Sequence, residues 1–171
     1  MQIVVTYNDN KIVTYYDFNK ITNNMNVIKI DCSNNNLTSM PSMDFPNLTY
    51  FDCSNNKLTS LPSMNFPYLK EFYCYNNKLT SLPSMDLPNL TQFYCSNNKL
   101  TSLPGMDFPN LTEFSCSYNN LTSLPSMDLP NLTYFNCSSN NLYYIPPHIN
   151  CNISKDDKTK SPIFMRRKLL I

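Results

Sequence analysis

Hydrophobic and polar positions alternate in short stretches along most of the chain. Between Leu48 and Ser54, the apolar residues Phe51 and Cys53 alternate with polar neighbours, which is the period of a β-strand with one buried face. The same pattern returns at cysteines spaced 21 residues apart: Cys32, Cys53, Cys74, Cys95, Cys116 and Cys137. Six positions in strict register indicate six copies of one structural unit.

The copies span residues 27–47, 48–68, 69–89, 90–110, 111–131 and 132–152. The second copy reads LTYFDCSNNKLTSLPSMNFPY, and the others keep nearly the same residue types at ten of its places. This spacing resembles the LxxLxLxxNxL pattern of leucine-rich repeats, with Phe and Cys in place of the second and third leucines. The wording CSNNKLTSLP is similar to short repeats of amoeba-infecting giant viruses, which are mimivirus-like, and of some bacterial proteins. The resemblance covers 126 of the 171 residues.

The predicted fold is mainly β. It is a leucine-rich-repeat solenoid of six 21-residue coils, with a parallel β-sheet on one face, irregular proline-rich return segments and little helix. We expect Asn56 and its counterparts to bond backbone groups of neighbouring coils. Pro62 and Pro67 are expected to block both helix and further strand pairing in the return segment. About seven apolar side chains per coil can be buried only by stacking.

A solenoid needs a cap at each end. Residues 1–26 lack the repeat and contain QIVVTY and KIVTYY, which are β-prone runs separated by Asn8, Asp9 and Asn10. We predict an N-terminal β-hairpin cap there. The register is lost after Ile145, and residues 153–171 carry a local net charge of +4. This segment is interpreted as a C-terminal basic tail or cap.

Composition narrows the function classes. The chain has 171 residues, a net charge of +1, 27 Asn, one Gly and no Ala. This size fits a single domain, and the absence of Ala argues against an ordinary α-helical one. A nearly balanced charge predicts no nucleic-acid partner and no membrane partner. The repeats alone have a net charge of -3, so we expect a neutral or basic protein partner.

The in-phase cysteines occupy the inward strand position, so they are expected to be free, buried thiols. Disulfides and a metal array are the alternatives, but the chain has one His and no CxxC pair. Metal binding is therefore not expected. His148 has no assignable nucleophile or carboxylate partner, and the single Gly105 does not form a phosphate loop. We predict no cofactor and no enzyme activity.

The chain has eight Asn-x-Ser/Thr sequons, most of which follow from the recurring NLT of the repeat: Asn36, Asn47, Asn89, Asn110, Asn120, Asn131, Asn136 and Asn152. The N-terminal residues MQIVVTYNDN show no charged region, long apolar run or cleavage site of a signal peptide. We therefore expect a cytoplasmic protein, in the host cytoplasm if it is viral, with unmodified sequons.

The exposed face of the sheet is the predicted functional surface, because the copies differ most at its outward positions. The predicted protein-binding residues are Tyr50, Asp52, Glu71, Tyr73, Tyr75, Gln92, Tyr94, Glu113 and Tyr134. Flat aromatic rings beside adaptable hydrogen-bonding groups are typical of protein-binding surfaces. Tyr50, Tyr73, Tyr75 and Tyr94 form the expected hot spot. The alternative is that tyrosine merely serves β propensity and cross-strand packing.

Together, these patterns predict a monomeric, non-enzymatic protein-interaction module that binds an unidentified protein through its sheet. The resemblance to bacterial effectors leaves open that the chain is the substrate-recognition part of an effector-like ubiquitin ligase. A secreted, glycosylated recognition protein is a further alternative, opposed by the reduced-looking thiols. A repeat array without a selected partner also stays open.

Overall fold

The structure is a computed structural model that describes residues 1–22, 24–105 and 107–143, and the backbone of one strand at 152–154. Its strands are β1 (Ile3–Tyr7), β2 (Ile12–Tyr15), β3 (Val27–Asp31), β4 (Met43–Asp44), β5 (Tyr50–Asp52), β6 (Met64–Asn65), β7 (Glu71–Tyr73), β8 (Gln92–Tyr94), β9 (Glu113–Ser115), β10 (Tyr134–Asn136) and β11 (Asn152–Ser154). The described helices are single 3₁₀ turns at Phe18–Lys20 and Asn24–Asn26. The predicted mainly-β fold with little helix is confirmed.

The main sheet has nine strands in the order β11-β10-β9-β8-β7-β5-β3-β1-β2. From β3 to β11, every neighbouring pair is parallel. Phe51 pairs with Phe72, and Phe72 with Phe93, so matching positions of successive copies lie side by side. The predicted solenoid with a parallel sheet on one face is therefore confirmed.

The N-terminal strands extend this sheet with antiparallel pairing. β1 pairs with β2 and with β3. In the turn, the Tyr7 N–H donates to the Lys11 carbonyl at 2.9 Å, and Asn10 adopts a φ of 65°, a left-handed conformation that asparagine tolerates. Ile3 and Val5 are fully buried, so the hairpin continues the solenoid core beyond the first repeat.

Stacked columns of identical side chains form the core. The Phe51, Phe72, Phe93, Phe114 and Phe135 rings stack on one another with centroids 5.3–5.6 Å apart. The six in-phase cysteines are buried and form no disulfide, and leucines of the return segments close the other side. Offset-stacked rings and dense apolar contacts stabilise each coil only through its neighbours.

A column of asparagines forms hydrogen bonds to backbone groups at the turns that follow the strands, as the sequence predicts. Asn98 donates through Nδ2 to the carbonyl oxygens of Cys74, Cys95 and Ser96 at 3.0–3.3 Å. Its Oδ1 accepts the Leu79 N–H at 3.0 Å. Because the partners belong to two adjacent coils, each asparagine joins one coil to the next.

The return segments contain one short element that the sequence analysis did not predict. β4 and β6 form a two-stranded parallel sheet in which Met43 pairs with Met64. The expectation that Pro62 and Pro67 block all strand pairing is wrong here, because the two residues of β6 lie between the prolines and keep their N–H groups.

The far end of the sheet carries a further strand. β11 pairs in parallel with β10, with Asn152 opposite Tyr134. The separation of 18 residues departs from the repeat of 21, which explains why the pattern did not predict it. The first two residues of the predicted C-terminal segment 153–171 lie in β11, and the rest of that segment lies outside the described residues, as do His148 and Cys151. Within the described part, no helix has the length and hydropathy needed to cross a membrane.

Candidate protein-binding face

The outward side chains of the parallel sheet lie in rows that cross the strands. The pairing register places Lys29, Tyr50, Glu71, Gln92, Glu113 and Tyr134 in a first row, and Asp31, Asp52, Tyr73, Tyr94, Ser115 and Asn136 in a second row. A third row of Ser33, Ser54, Tyr75, Ser96, Ser117 and Ser138 follows the strand ends. We call this surface the outer face. It is rigid because every row is fixed by the backbone ladder of the sheet.

Three tyrosines form a continuous aromatic column on the outer face. The Tyr73 ring lies 5.6 Å from the Tyr50 ring and 5.5 Å from the Tyr94 ring, centroid to centroid. Tyr50 stands in the first row and reaches Tyr73 diagonally across the strands. All three side chains are half-buried, so they present flat ring area that is already held in place.

Carboxylates and an amide fix the tyrosine hydroxyls. The Tyr73 hydroxyl donates to Glu71 Oε2 at 3.0 Å and also contacts Gln92 Oε1, and the Tyr94 hydroxyl donates to Glu113 Oε2. Burial first, and then the carboxylate partner, raises the pKa of Tyr73 and Tyr94 well above the usual tyrosine value. Both tyrosines therefore remain neutral hydrogen-bond donors at physiological pH.

Asp52 lies at the floor of this surface. Its side chain is only 9% exposed. Oδ1 accepts the Ser54 N–H at 2.8 Å, and Oδ2 accepts the Tyr50 hydroxyl at 3.4 Å. Burial, with a smaller contribution from the nearby Asp31, raises the pKa of this carboxyl, while the hydrogen bonds from Ser54 and Tyr50 oppose the shift. No described lysine or arginine forms an ion pair with it.

An open depression of about 540 Å³ lies over these groups. It is lined by Tyr50, Asp52, Tyr73, Tyr75, Tyr94 and Ser96. Serine hydroxyls continue its edge, since Ser96 Oγ lies 2.6 Å from Ser115 Oγ and accepts from Ser117 Oγ at 3.1 Å. The site thus combines aromatic walls, one buried carboxylate and a row of hydroxyls.

The structure brings most of the predicted binding residues into one connected group. Rings, hydrogen bonds or the depression link Tyr50, Asp52, Glu71, Tyr73, Tyr75, Gln92, Tyr94 and Glu113. Tyr134, which is 37% exposed, lies next to Glu113 in the first row but outside the depression. The predicted set omitted Ser96 and Lys29, whose Nζ lies 5.6 Å from the centre of the Tyr50 ring. Their outward position in the strand pattern was the available signal.

Among the described residues, the cysteines, the possible metal ligands and the sequons do not form a site comparable to the outer face. Burial raises the pKa of the Cys53, Cys74 and Cys116 thiols well above the usual value, which disfavours the reactive thiolate. Among the described residues, no three His, Cys, Asp or Glu side chains are grouped as a metal site requires. Four sequon asparagines use Nδ2 to hold the carbonyl oxygen 22 residues earlier: Asn47, Asn89, Asn110 and Asn131.

A repeating solenoid with a rigid outer face defines a class of repeat proteins that recognise other molecules on an extended surface. A family model that describes two copies of the leucine-rich repeat matches this chain at three places, residues 26–65, 69–107 and 109–145. The chain therefore belongs to the leucine-rich repeat family, whose members are typically non-enzymatic interaction scaffolds.

Solved structures of bacterial proteins are similar to this chain. The leucine-rich repeat domain of a Shigella effector is 32% identical with a TM-score of 0.63, and the match covers 69% of this chain and 52% of that domain. YopM from Yersinia enterocolitica is 28% identical with a TM-score of 0.60, over 75% of this chain and 33% of YopM. The match therefore spans about half of the Shigella effector domain and a third of YopM. Among curated proteins, no sequence match was found.

Proposed function

We propose that this protein is a non-enzymatic protein-interaction module that binds a partner protein through its outer face, with the tyrosine column as the centre of the contact. The observation that carries the proposal is the depression lined by Tyr50, Tyr73 and Tyr94 above Asp52. Binding surfaces concentrate their energy in such aromatic groups, surrounded by polar residues that exclude water.

The rigidity of the column supports this function. Because Tyr73 and Tyr94 are held by ring contacts and by hydrogen bonds to Glu71 and Glu113, a partner need not order them on binding. Preorganised side chains lose little conformational entropy, so more of the contact energy appears as affinity. The structural likeness to leucine-rich repeat domains of bacterial effectors supports the same general role.

The test is affinity capture from lysate of the source cell, with the full chain and with a Tyr73→Ala, Tyr94→Ala variant as baits. A matched control is Tyr16→Ala, Tyr68→Ala, because these tyrosines are exposed and lie outside the outer face. A specific partner that is retained by the control and lost with the outer-face variant is the expected result. Partners that bind all three baits equally contradict the proposal, provided that circular dichroism shows each bait to be folded.

The compartment belongs to the same proposal. We place the protein in a reducing compartment such as the cytoplasm, in keeping with six buried cysteines that form no disulfide although they stand on adjacent coils. It acts there as a monomer, and it needs no nucleic acid or membrane for its function. Size-exclusion chromatography with light scattering measures the oligomeric state directly.

A second candidate function is the recognition part of a larger effector protein, including a ubiquitin-ligase type. The specific observation in its favour is the 32% identity to the Shigella effector domain, of which this chain covers 52%. The two candidates use the same outer face. The recognition part of a ligase would lead to modification of the captured partner when a catalytic domain is joined to the repeats. An interaction module would only bind the partner.

A further inference from the structure

The outer face carries enough detail to name the chemistry of its ligand, and this inference rests on the proposed function. We propose that the depression receives a cationic side chain, arginine or lysine, from a basic segment of the partner protein. The side chain lies against the rings of Tyr73 and Tyr94 and directs its charge towards the Asp52 carboxylate.

The charge of the outer face favours a cationic ligand. The outer face carries four carboxylates, from Asp31, Asp52, Glu71 and Glu113, and one cation, from Lys29. Carboxylates on adjacent strands reinforce one another because their fields overlap within the screening length at physiological salt. The surface therefore attracts a positively charged segment and repels an acidic one.

The position of Lys29 shows that the aromatic column can hold an ammonium group. Its Nζ lies 5.6 Å from the centre of the Tyr50 ring, within the range in which a cation is attracted to a ring face. Lys29 lies at the hairpin end of the column, on β3. Within the described residues, no cation lies in this way over the rings of Tyr73 and Tyr94 further along the column.

The Asp52 carboxylate can still accept a hydrogen bond from a ligand. This residue is 9% exposed and accepts from the Ser54 N–H, the Ser54 side chain and the Tyr50 hydroxyl. A carboxylate has about four acceptor positions, so about one position remains for a ligand. A buried carboxylate without a cationic partner is costly, and an arriving guanidinium or ammonium group removes that cost.

The size of the depression also suits such a side chain. A volume of about 540 Å³ lies in the range of sites that hold small molecules, so the depression is large enough to admit an arginine side chain. The flat tyrosine rings suit a planar guanidinium group, which stacks on aromatic faces and donates to carboxylates in a fixed geometry. We therefore expect arginine to bind more tightly than lysine.

The experiment titrates the full-length protein with three capped pentapeptides, Gly-Gly-X-Gly-Gly, in which X is arginine, lysine or citrulline. Citrulline keeps the shape of arginine without its charge. Binding is followed by NMR shifts of the tyrosine rings at low salt and at 0.5 M salt. The expected result is millimolar affinity for the arginine peptide, weaker binding of the lysine peptide and roughly tenfold weaker binding of citrulline, with shifts centred on Tyr73 and Tyr94.

Two variants make the assignment specific. Asp52→Asn is expected to weaken the arginine peptide about fivefold or more, since it removes the charge and keeps an acceptor for the Ser54 N–H. The matched control is Asp107→Asn, which removes an exposed carboxylate from a return segment and is expected to leave the affinity unchanged. Lys29→Gln is expected to tighten binding about twofold or more, because it removes a like charge from the end of the column.

The outcomes separate this inference from the proposed function. Equal affinity for arginine and citrulline, an Asp52→Asn variant that binds as tightly as the unmodified chain, or shifts away from the column would overturn the cationic ligand. If a captured partner nevertheless depends on Tyr73 and Tyr94, the outer face is an interaction surface for a different chemistry. If the peptide binds as expected but no captured partner depends on these tyrosines, the cation site stands and the proposed partner interface fails.

Discussion

The Asn119 side-chain amide joins its own coil to the preceding one through the Cys95 carbonyl oxygen, at a distance of 3.1 Å. The same Nδ2 atom also donates to Cys116 and Ser117 in its own coil, and Oδ1 accepts the Leu100 N–H at 3.0 Å. The side chain is buried. One residue thus satisfies turn groups that the sheet ladder does not reach, and it does so in two coils.

Replacement of this residue is expected to destabilise the solenoid strongly. Asn119→Ala leaves several buried backbone groups unpaired, each at a cost of about 1–3 kcal/mol, so we expect a loss of about 3 kcal/mol in the free energy of unfolding. Urea denaturation followed by circular dichroism measures the change. Because coils unfold in linked steps, the outer-face tyrosine fluorescence should be recorded in parallel.

The neighbouring Asn120 provides the matched control. It has the same side chain, is exposed and makes no described side-chain hydrogen bond. Asn120→Ala is expected to change the unfolding free energy by less than about 0.5 kcal/mol. Similar losses for the two variants would show that the buried hydrogen bonds of Asn119 are not what holds the coils together.

Tyr118 occupies a backbone position that suits asparagine. Its φ is 53°, and the matching positions of the preceding coils are all asparagines with φ between 53° and 57°: Asn34, Asn55, Asn76 and Asn97. The side chains of the last three also form a ladder, in which Asn76 Nδ2 donates to Asn55 Oδ1 at 2.7 Å and Asn97 Nδ2 donates to Asn76 Oδ1 at 2.6 Å. A bulky residue in this conformation is strained.

Tyr118→Asn is therefore expected to raise the free energy of unfolding by about 1 kcal/mol, because asparagine tolerates the left-handed conformation. The ladder from Asn97 can then continue by one residue. Thermal and urea unfolding measure the gain. Tyr16→Asn serves as the control, since Tyr16 is also exposed but does not have a positive φ. A gain in both variants, or in neither, contradicts the backbone explanation.

Sequence reasoning succeeded where the chemistry repeats. The strand pairs and the buried column of Asn56 and its counterparts follow from one 21-residue period, since each coil solves the same packing problem. β11 breaks that period, because its residues follow their partners in β10 by 18 residues. The repeat pattern therefore did not predict this strand. The outer face could be predicted only in part. The alternation of apolar and polar residues predicted that Tyr50 and Tyr73 point outward, but their ring contact runs diagonally between two rows. The position of Lys29 over the Tyr50 ring depends on a side-chain rotamer, which sequence spacing does not determine.

The cysteine column yields a prediction about thiol reactivity. The chain has seven cysteines, and the six in-phase ones are buried. Burial raises the pKa of five of these thiols, those of Cys32, Cys53, Cys74, Cys95 and Cys116, and it blocks the access of reagents to all six. In the native protein, we expect these six to react with an alkylating reagent only as fast as the coils open, whereas all seven react promptly in denaturant without reductant. Mass spectrometry of the labelled protein counts them, and rapid native labelling of any of the six would contradict the prediction.

Asp52 predicts a dependence of stability on pH. Burial and the nearby Asp31 raise the pKa of this carboxyl in the folded protein above its ordinary value near 3.9, although hydrogen bonds from Ser54 and Tyr50 oppose the shift. The folded state therefore holds the proton more tightly than the unfolded state does. The stabilising contribution of the protonated form is complete below the unfolded pKa and is lost as the pH rises through the folded pKa.

Asp52→Asn should accordingly be more stable than the unmodified chain at pH 7, and the difference should shrink towards zero at about pH 3, where the carboxyl is protonated in both states. The amide oxygen can still accept the Ser54 N–H, so the local turn is kept. Urea unfolding at several pH values measures the difference, with Asp107→Asn as an exposed control. A variant that is less stable than the unmodified chain at pH 7 would show that the ionised carboxylate stabilises the fold. If the variant is instead more stable and binds the arginine peptide more weakly, stability and ligand binding oppose each other at this position, as expected of a residue retained for recognition.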